Sequence, residues 1–99
     1  MITYYTKKGK FRTKEWYGVP FNKLHRLDGP AVWVKGRKEW WINGKRHRLD
    51  GPAYINNGYN IWFVNSKKLN KKEVETWIKL NHINLKTKQH QALFILRFG

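Results

Sequence analysis

A chain of 99 residues holds one domain, and at 40% hydrophobic, with six Trp, five Tyr and five Phe, it can bury a core of its own. The absence of cysteine excludes disulfides and thiolate-bound metals; no apolar run reaches transmembrane length and MITYYTKKGK lacks a signal-peptide core, so a soluble, unsecreted protein is expected. Twenty-one Lys and Arg against six Asp and Glu give a formal net charge of +15, an excess that opposes compaction and points to a polyanionic partner, nucleic acid first.

In chain order, residues 1–24 read as a degenerate first hairpin. Glu15-Trp16-Tyr17 and Asn22-Lys23-Leu24 echo the later Glu39-Trp40-Trp41 and Gly44-Lys45-Arg46. Two units of 22 residues follow, 25–46 and 47–68, each opening on HRLDGPA. Beyond those seven identities, Gly36 matches Gly58, Trp40 matches Trp62, Asn43 matches Asn65 and Lys45 matches Lys67, eleven in 22 positions without a gap. A fixed period of this length signifies stacked supersecondary units. Each unit reads as a β-hairpin, with strands at 31–34 and 39–42, then 53–56 and 61–64, all in one antiparallel sheet. Four-residue loops, KGRK and NGYN, would set Trp33 opposite Trp40 and Ala31 opposite Ile42, with Ile55 and Trp62, Ala53 and Val64 as counterparts. Those eight residues form a wholly apolar face, expected to be core. Val32, Val34, Glu39, Trp41, Tyr54, Asn56, Ile61 and Phe63 form a mixed face, half covered by a helix or half open to a ligand. Asn43-Gly44 is a tight-turn signal, since both positions tolerate positive φ.

The period ends at Leu69. A capping helix is predicted over 70–82, with Asn70 as N-cap, Glu73 three residues later, and Val74, Trp77, Ile78 and His82 along its apolar stripe. It would close the open end of the sheet or cover the mixed face. The extension 86–99, with its continuous run ALFIL, is a buried last strand, a second helix or an oligomer contact. The whole is a mainly β, α+β chain: an antiparallel meander of about three hairpin repeats with a C-terminal helix.

HRLDGPA, a glycine turn, EWWINGKRHRLDGPA and a closing NKKEVETWI together resemble a family of viral repeat proteins with HRxDGPA-type repeats, found in large DNA viruses and tailed phages. The resemblance spans about residues 15–85, and the spacing is similar to that of MORN-type β-hairpin repeats, although the MORN signature itself is missing. It implies a viral origin, a β-hairpin array and the cytoplasm of an infected host cell, and it implies no catalytic activity. The tail after Leu85 departs from the pattern.

His25 with Asp28, and His47 with Asp50, have the makings of His–carboxylate dyads, but general acid–base catalysis also needs a nucleophile or metal beside them. The chain has one serine, Ser66, and one His plus one Asp make a weak metal site. A turn role explains more: Asp28 and Asp50 accept backbone N–H groups or pair with Arg26 and Arg48, Gly29 and Gly51 supply a conformation other residues resist, and Pro30 and Pro52 fix the path into the next strand. His25 and His47 are read as hydrogen-bonded packing residues. No enzyme, no cofactor and no metal are therefore expected.

Function then falls to the surface. Lys7, Lys8, Lys10 and Arg12, then Lys35, Arg37 and Lys38, then Lys45, Arg46 and Arg48, then Lys67, Lys68, Lys71 and Lys72 cluster at predicted loops. Stacked hairpins would align these clusters into rows that follow a phosphate backbone. Trp41, Tyr54 and Phe63 on the mixed face either stack unpaired bases or pack under the helix. RNA or another nucleic acid is the expected partner. The rival reading is a phage-encoded inhibitor that binds a host defence protein, such as an RNA-cleaving toxin or nuclease, directly or with its RNA.

Overall fold

The computed structural model describes residues 3–8, 14–19 and 23–99. Among these the chain is mainly β, with antiparallel strands in several sheets followed by two helices. The main sheet runs in the order β1 (Thr3–Lys8), β2 (Lys14–Val19), β4 (Val32–Val34), β5 (Arg37–Glu39), β8 (Tyr54–Asn56) and β9 (Tyr59–Ile61), and β3 (Lys23–Leu24) also pairs with β2. Two short hairpins stand apart from it: β6 (Trp41–Ile42) with β7 (Lys45–Arg46), and β10 (Phe63–Val64) with β11 (Lys67–Lys68).

Turn chemistry explains why one predicted hairpin becomes two shorter ones. Asn57-Gly58 joins β8 to β9 with φ of +49° and +86°; Asn43-Gly44 joins β6 to β7 with +50° and +78°; Asn65-Ser66 joins β10 to β11 with +49° and +68°. Positive φ at both central residues is the turn whose twist matches that of the strands it joins. Gly36, at φ +80°, lets β4 return directly into β5. The expected four-residue loops are therefore two residues long, and Val32 faces Glu39 and Trp33 faces Lys38, not Trp40. A shift of two keeps each side chain on its own face, but it ends β5 before Trp40 and β9 before Trp62.

Those tryptophans are crossing points. Trp40 N–H donates to Ala53 C=O at 2.8 Å, while Trp40 C=O accepts His47 N–H at 3.1 Å. Its two backbone groups bind different segments, so 39–42 is not one continuous strand; 61–64 is likewise divided between β9 and β10 at Trp62, whose C=O accepts Leu69 N–H at 2.9 Å. The face assignments change with this. Ala31, Ala53, Trp62 and Val64 are buried as expected, but Trp33 is 45% exposed, and Val32 and Glu39 from the mixed face are buried.

The helices are α1 (Lys71–Leu80) and α2 (Lys88–Phe98). Asn70 Oδ1 accepts Glu73 N–H at 3.0 Å, the N-cap expected from sequence, and Thr87 Oγ1 accepts His90 N–H at 3.2 Å at the start of α2. His82 lies past α1, exposed and at φ +52°, rather than on its stripe. Of the roles open to the tail, a second helix forms. Phe94 and Phe98, one turn apart, reach the core that Trp62, Val64, Leu69, Val74 and Leu85 complete. Phe94 is fully buried, with its ring 5.7 Å from Trp62, and Trp77 meets Phe98 edge-on at 5.5 Å. The helices thus close the end of the last β unit and leave Trp41, Tyr54 and Phe63 to other partners.

Candidate nucleic-acid interface

The heptapeptide builds a corner of side chains around its arginine. Arg48 lies 3.8 Å over the Trp40 ring, donates Nε to Asp50 Oδ1 at 2.7 Å and donates NH1 to Pro52 C=O at 3.0 Å. Arg26 repeats the arrangement on Trp16 at 4.0 Å, with Asp28 Oδ1 at 2.9 Å and Pro30 C=O at 3.2 Å. The Asp50 carboxylate thus receives a guanidinium where a backbone N–H was one expected donor.

The glycine requirement is also different from the expected one. Neither Gly29 nor Gly51 has positive φ; a Cβ at Gly51 would lie 2.8 Å from Arg48 Cζ, and one at Gly29 would lie 3.0 Å from Arg26 Cζ. The heptapeptide needs glycine there so that the guanidinium can lie against the backbone. The histidines hold the next turn in place: His25 Nδ1 accepts Asn43 N–H at 3.0 Å and His47 Nδ1 accepts Asn65 N–H at 3.1 Å. Accepting at Nδ1 requires an unprotonated Nδ1, and partial burial lowers the pKa of His47. Both corners line one open cavity of about 600 Å³, with Trp40, Ile42 and Leu49 on its walls. Among the described residues no group of three or more His, Asp or Glu could hold a metal ion.

On the opposite face, Trp41, Tyr54 and Phe63 surround Arg46, whose guanidinium carbon lies 4.8, 5.5 and 5.4 Å from their ring centres. Arg46 also donates to Glu39 at 3.1 Å, and Glu39 accepts Trp41 Nε1–H at 3.2 Å. Arg37 Nε lies 3.3 Å from Glu39 Oε2 in an ion pair that lacks hydrogen-bond geometry, so Coulomb attraction carries it. The sequence offered two uses for these aromatics, and the structure shows a third. They form a half-open box around a resident cation, which a buried carboxylate anchors.

The remaining predicted cations fall into two groups. Lys35, exposed, sits in the β4–β5 turn, Arg37 follows it, and Lys38 lies 4.9 Å over Trp33. Lys7 and Lys8, paired with Glu15 and Lys14, lie at the end of β1 and at the same end of the sheet as the β4–β5 turn, while Lys10 and Arg12 lie outside the described residues. Lys45, Lys67 and Lys68 belong to the short hairpins and are exposed. Each short hairpin sits on the one before it: Gly44 N–H donates to Leu24 C=O at 2.9 Å, and Ser66 N–H donates to Arg46 C=O at 2.8 Å. Lys23, on β3, therefore stands in line with Lys45 and Lys67; all three are exposed, and the Lys23 side chain packs 3.2 Å from the Cβ position of Gly44. Lys23 was missed as a surface residue, although its 22-residue offset from Lys45 was visible. Arg48 belongs to its corner, with a side chain 20% exposed.

No family model, curated protein or solved structure matches the chain.

Proposed function

We propose that this is a small, highly basic viral accessory protein that binds RNA or another nucleic acid through rows of Lys and Arg, with no catalytic site of its own. The observation that carries the reading is the alignment of Lys23, Lys45 and Lys67 on hairpins linked by the Leu24–Gly44 and Arg46–Ser66 backbone bonds. Such alignment belongs to an array of 22-residue units. Supporting that array, His25, His47 and Leu69 N–H groups donate to Trp16, Trp40 and Trp62 C=O at 2.9, 3.1 and 2.9 Å. On this reading strands β1, β2 and β3 belong to the first, degenerate unit. A row of cations on successive units would follow the phosphates of a nucleic-acid strand, and the half-open Arg46 box adds aromatic and guanidinium surface beside it.

The test is a titration of labelled oligouridylate at several salt concentrations. Replacing Lys23, Lys45 and Lys67 with Ser should weaken binding and flatten the log–log salt slope by up to about 0.7 for each phosphate no longer neutralised. A slope unchanged by the triple replacement would transfer the function to the alternative, direct binding of a host defence protein.

A further inference from the structure

Strand β9 closes the main sheet, and its outer edge carries a backbone pattern that is filled elsewhere in the molecule. In a two-residue hairpin the residues flanking the turn form a hydrogen-bonded pair, and bonding alternates outward from there. Tyr59 and Ile61, paired with Asn56 and Tyr54, point their N–H and C=O groups at β8. Asn60 points both of its own away. At the equivalent edge, β5, these groups hold the next strand: Gly36 C=O accepts Asn57 N–H at 2.8 Å, Lys38 faces Ile55, and Trp40 N–H donates to Ala53 C=O at 2.8 Å. The matching series on β9, 22 residues on, is Gly58 C=O, Asn60 N–H and C=O, and Trp62 N–H. Among the described residues no strand lies beside it, and Trp62 N–H has no backbone acceptor.

A groove of about 440 Å³ runs along this edge. Tyr59, Asn60 and Ile61 form one wall, and Lys68, Lys71 and Lys72 stand on the other, with no carboxylate lining it. Tyr59 is 71% exposed.

We propose that this edge captures an extended acidic peptide segment of another protein as an added antiparallel strand. Backbone bonding to Gly58, Asn60 and Trp62 supplies the register, and the three lysines select for Asp and Glu. A second copy of the chain is the wrong occupant, because each carries a net charge of +15. The site is separate from the Lys23–Lys45–Lys67 row and stands whether or not that row binds RNA.

The experiment titrates the full chain, labelled with ¹⁵N, with a short capped peptide of alternating Glu and Val, with the same peptide N-methylated at alternate residues, and with oligouridylate. The unmodified peptide should bind saturably, shift the Asn60 and Trp62 amide signals and slow their hydrogen exchange. N-methylation, which leaves charge unchanged and removes the donors, should weaken binding at least tenfold. Asn60→Pro, with its circular dichroism confirming the fold, should do the same. The proposal is overturned by no peptide binding, by equal binding of the N-methylated peptide, by shifts confined to other amides, or by oligouridylate producing the Asn60 and Trp62 changes.

Discussion

A guanidinium lying between an indole ring and a glycine explains most of the heptapeptide. Arg48 satisfies Asp50 and Pro52 C=O while it stacks on Trp40, and Gly51 leaves the space it needs. Arg48→Lys should cost about 1–2 kcal/mol in urea unfolding, because an ammonium cannot donate to both acceptors while lying flat on the ring. Gly51→Ala should cost about as much, because the new Cβ displaces the same guanidinium, and the two effects should not add in the double variant. Additive effects would show that Gly51 matters for some other reason. His47 adds a pH dependence. Its folded pKa is lowered by burial, so the unfolded chain takes up the proton first as pH falls. The His47 contribution to stability should be whole above its ordinary value near 6.5 and be lost as pH drops from there through the lowered folded value. His47→Gln should flatten this part of a melting-temperature profile. A variant profile parallel to the native one would refute the assignment.

At the scale of elements, legibility followed the range of the interaction. Asn43-Gly44 and the Asn70 cap were readable because a turn or a cap is decided by residues within four positions of one another. Asn70→Ala should accordingly cost about 1 kcal/mol, measured by chemical unfolding, through the orphaned Glu73 N–H. Asn57-Gly58 carried the same tight-turn signal as Asn43-Gly44, yet the apolar alternation at 53–56 and 61–64 favoured a longer loop. The breaks at Trp40 and Trp62 had no local mark. At Trp40 the N–H meets Ala53 C=O and the C=O meets His47 N–H, and at Trp62 the C=O meets Leu69 N–H, all bonds to residues outside the predicted hairpin. The cationic rows sort by element as well. Lys38 stacks on Trp33 and Arg37 faces Glu39, so replacing Lys35, Arg37 and Lys38 would disturb side-chain packing as well as charge. Lys45 and Lys67 are the cleaner targets, because those side chains are exposed and the stem of Lys23 packs beside Gly44.

Over the whole molecule, an aromatic core at the C-terminal end works against the repulsion of an excess of cations. Phe94→Ala should cost about 3–5 kcal/mol, read as a shift in the urea midpoint, because it empties the centre of the ring cluster joining Trp62, Trp77 and Phe98. Leu93, Ile95 and Leu96, on the same helix, are 46%, 43% and 83% exposed, and polar replacements there should leave the midpoint nearly unchanged. By itself the sequence determined the chemical class of the chain, its antiparallel β character, the tight turn at Asn43-Gly44 and the cap of α1. Each of these follows from composition or from groups adjacent along the chain. Only the tertiary structure decided that the helices cover Trp62 and Val64, that Arg46 fills the box of Trp41, Tyr54 and Phe63, and that no strand among the described residues pairs with the outer edge of β9. Those outcomes depend on strand register and on which faces meet, and a two-residue difference in loop length is enough to change the partners of every residue in a hairpin.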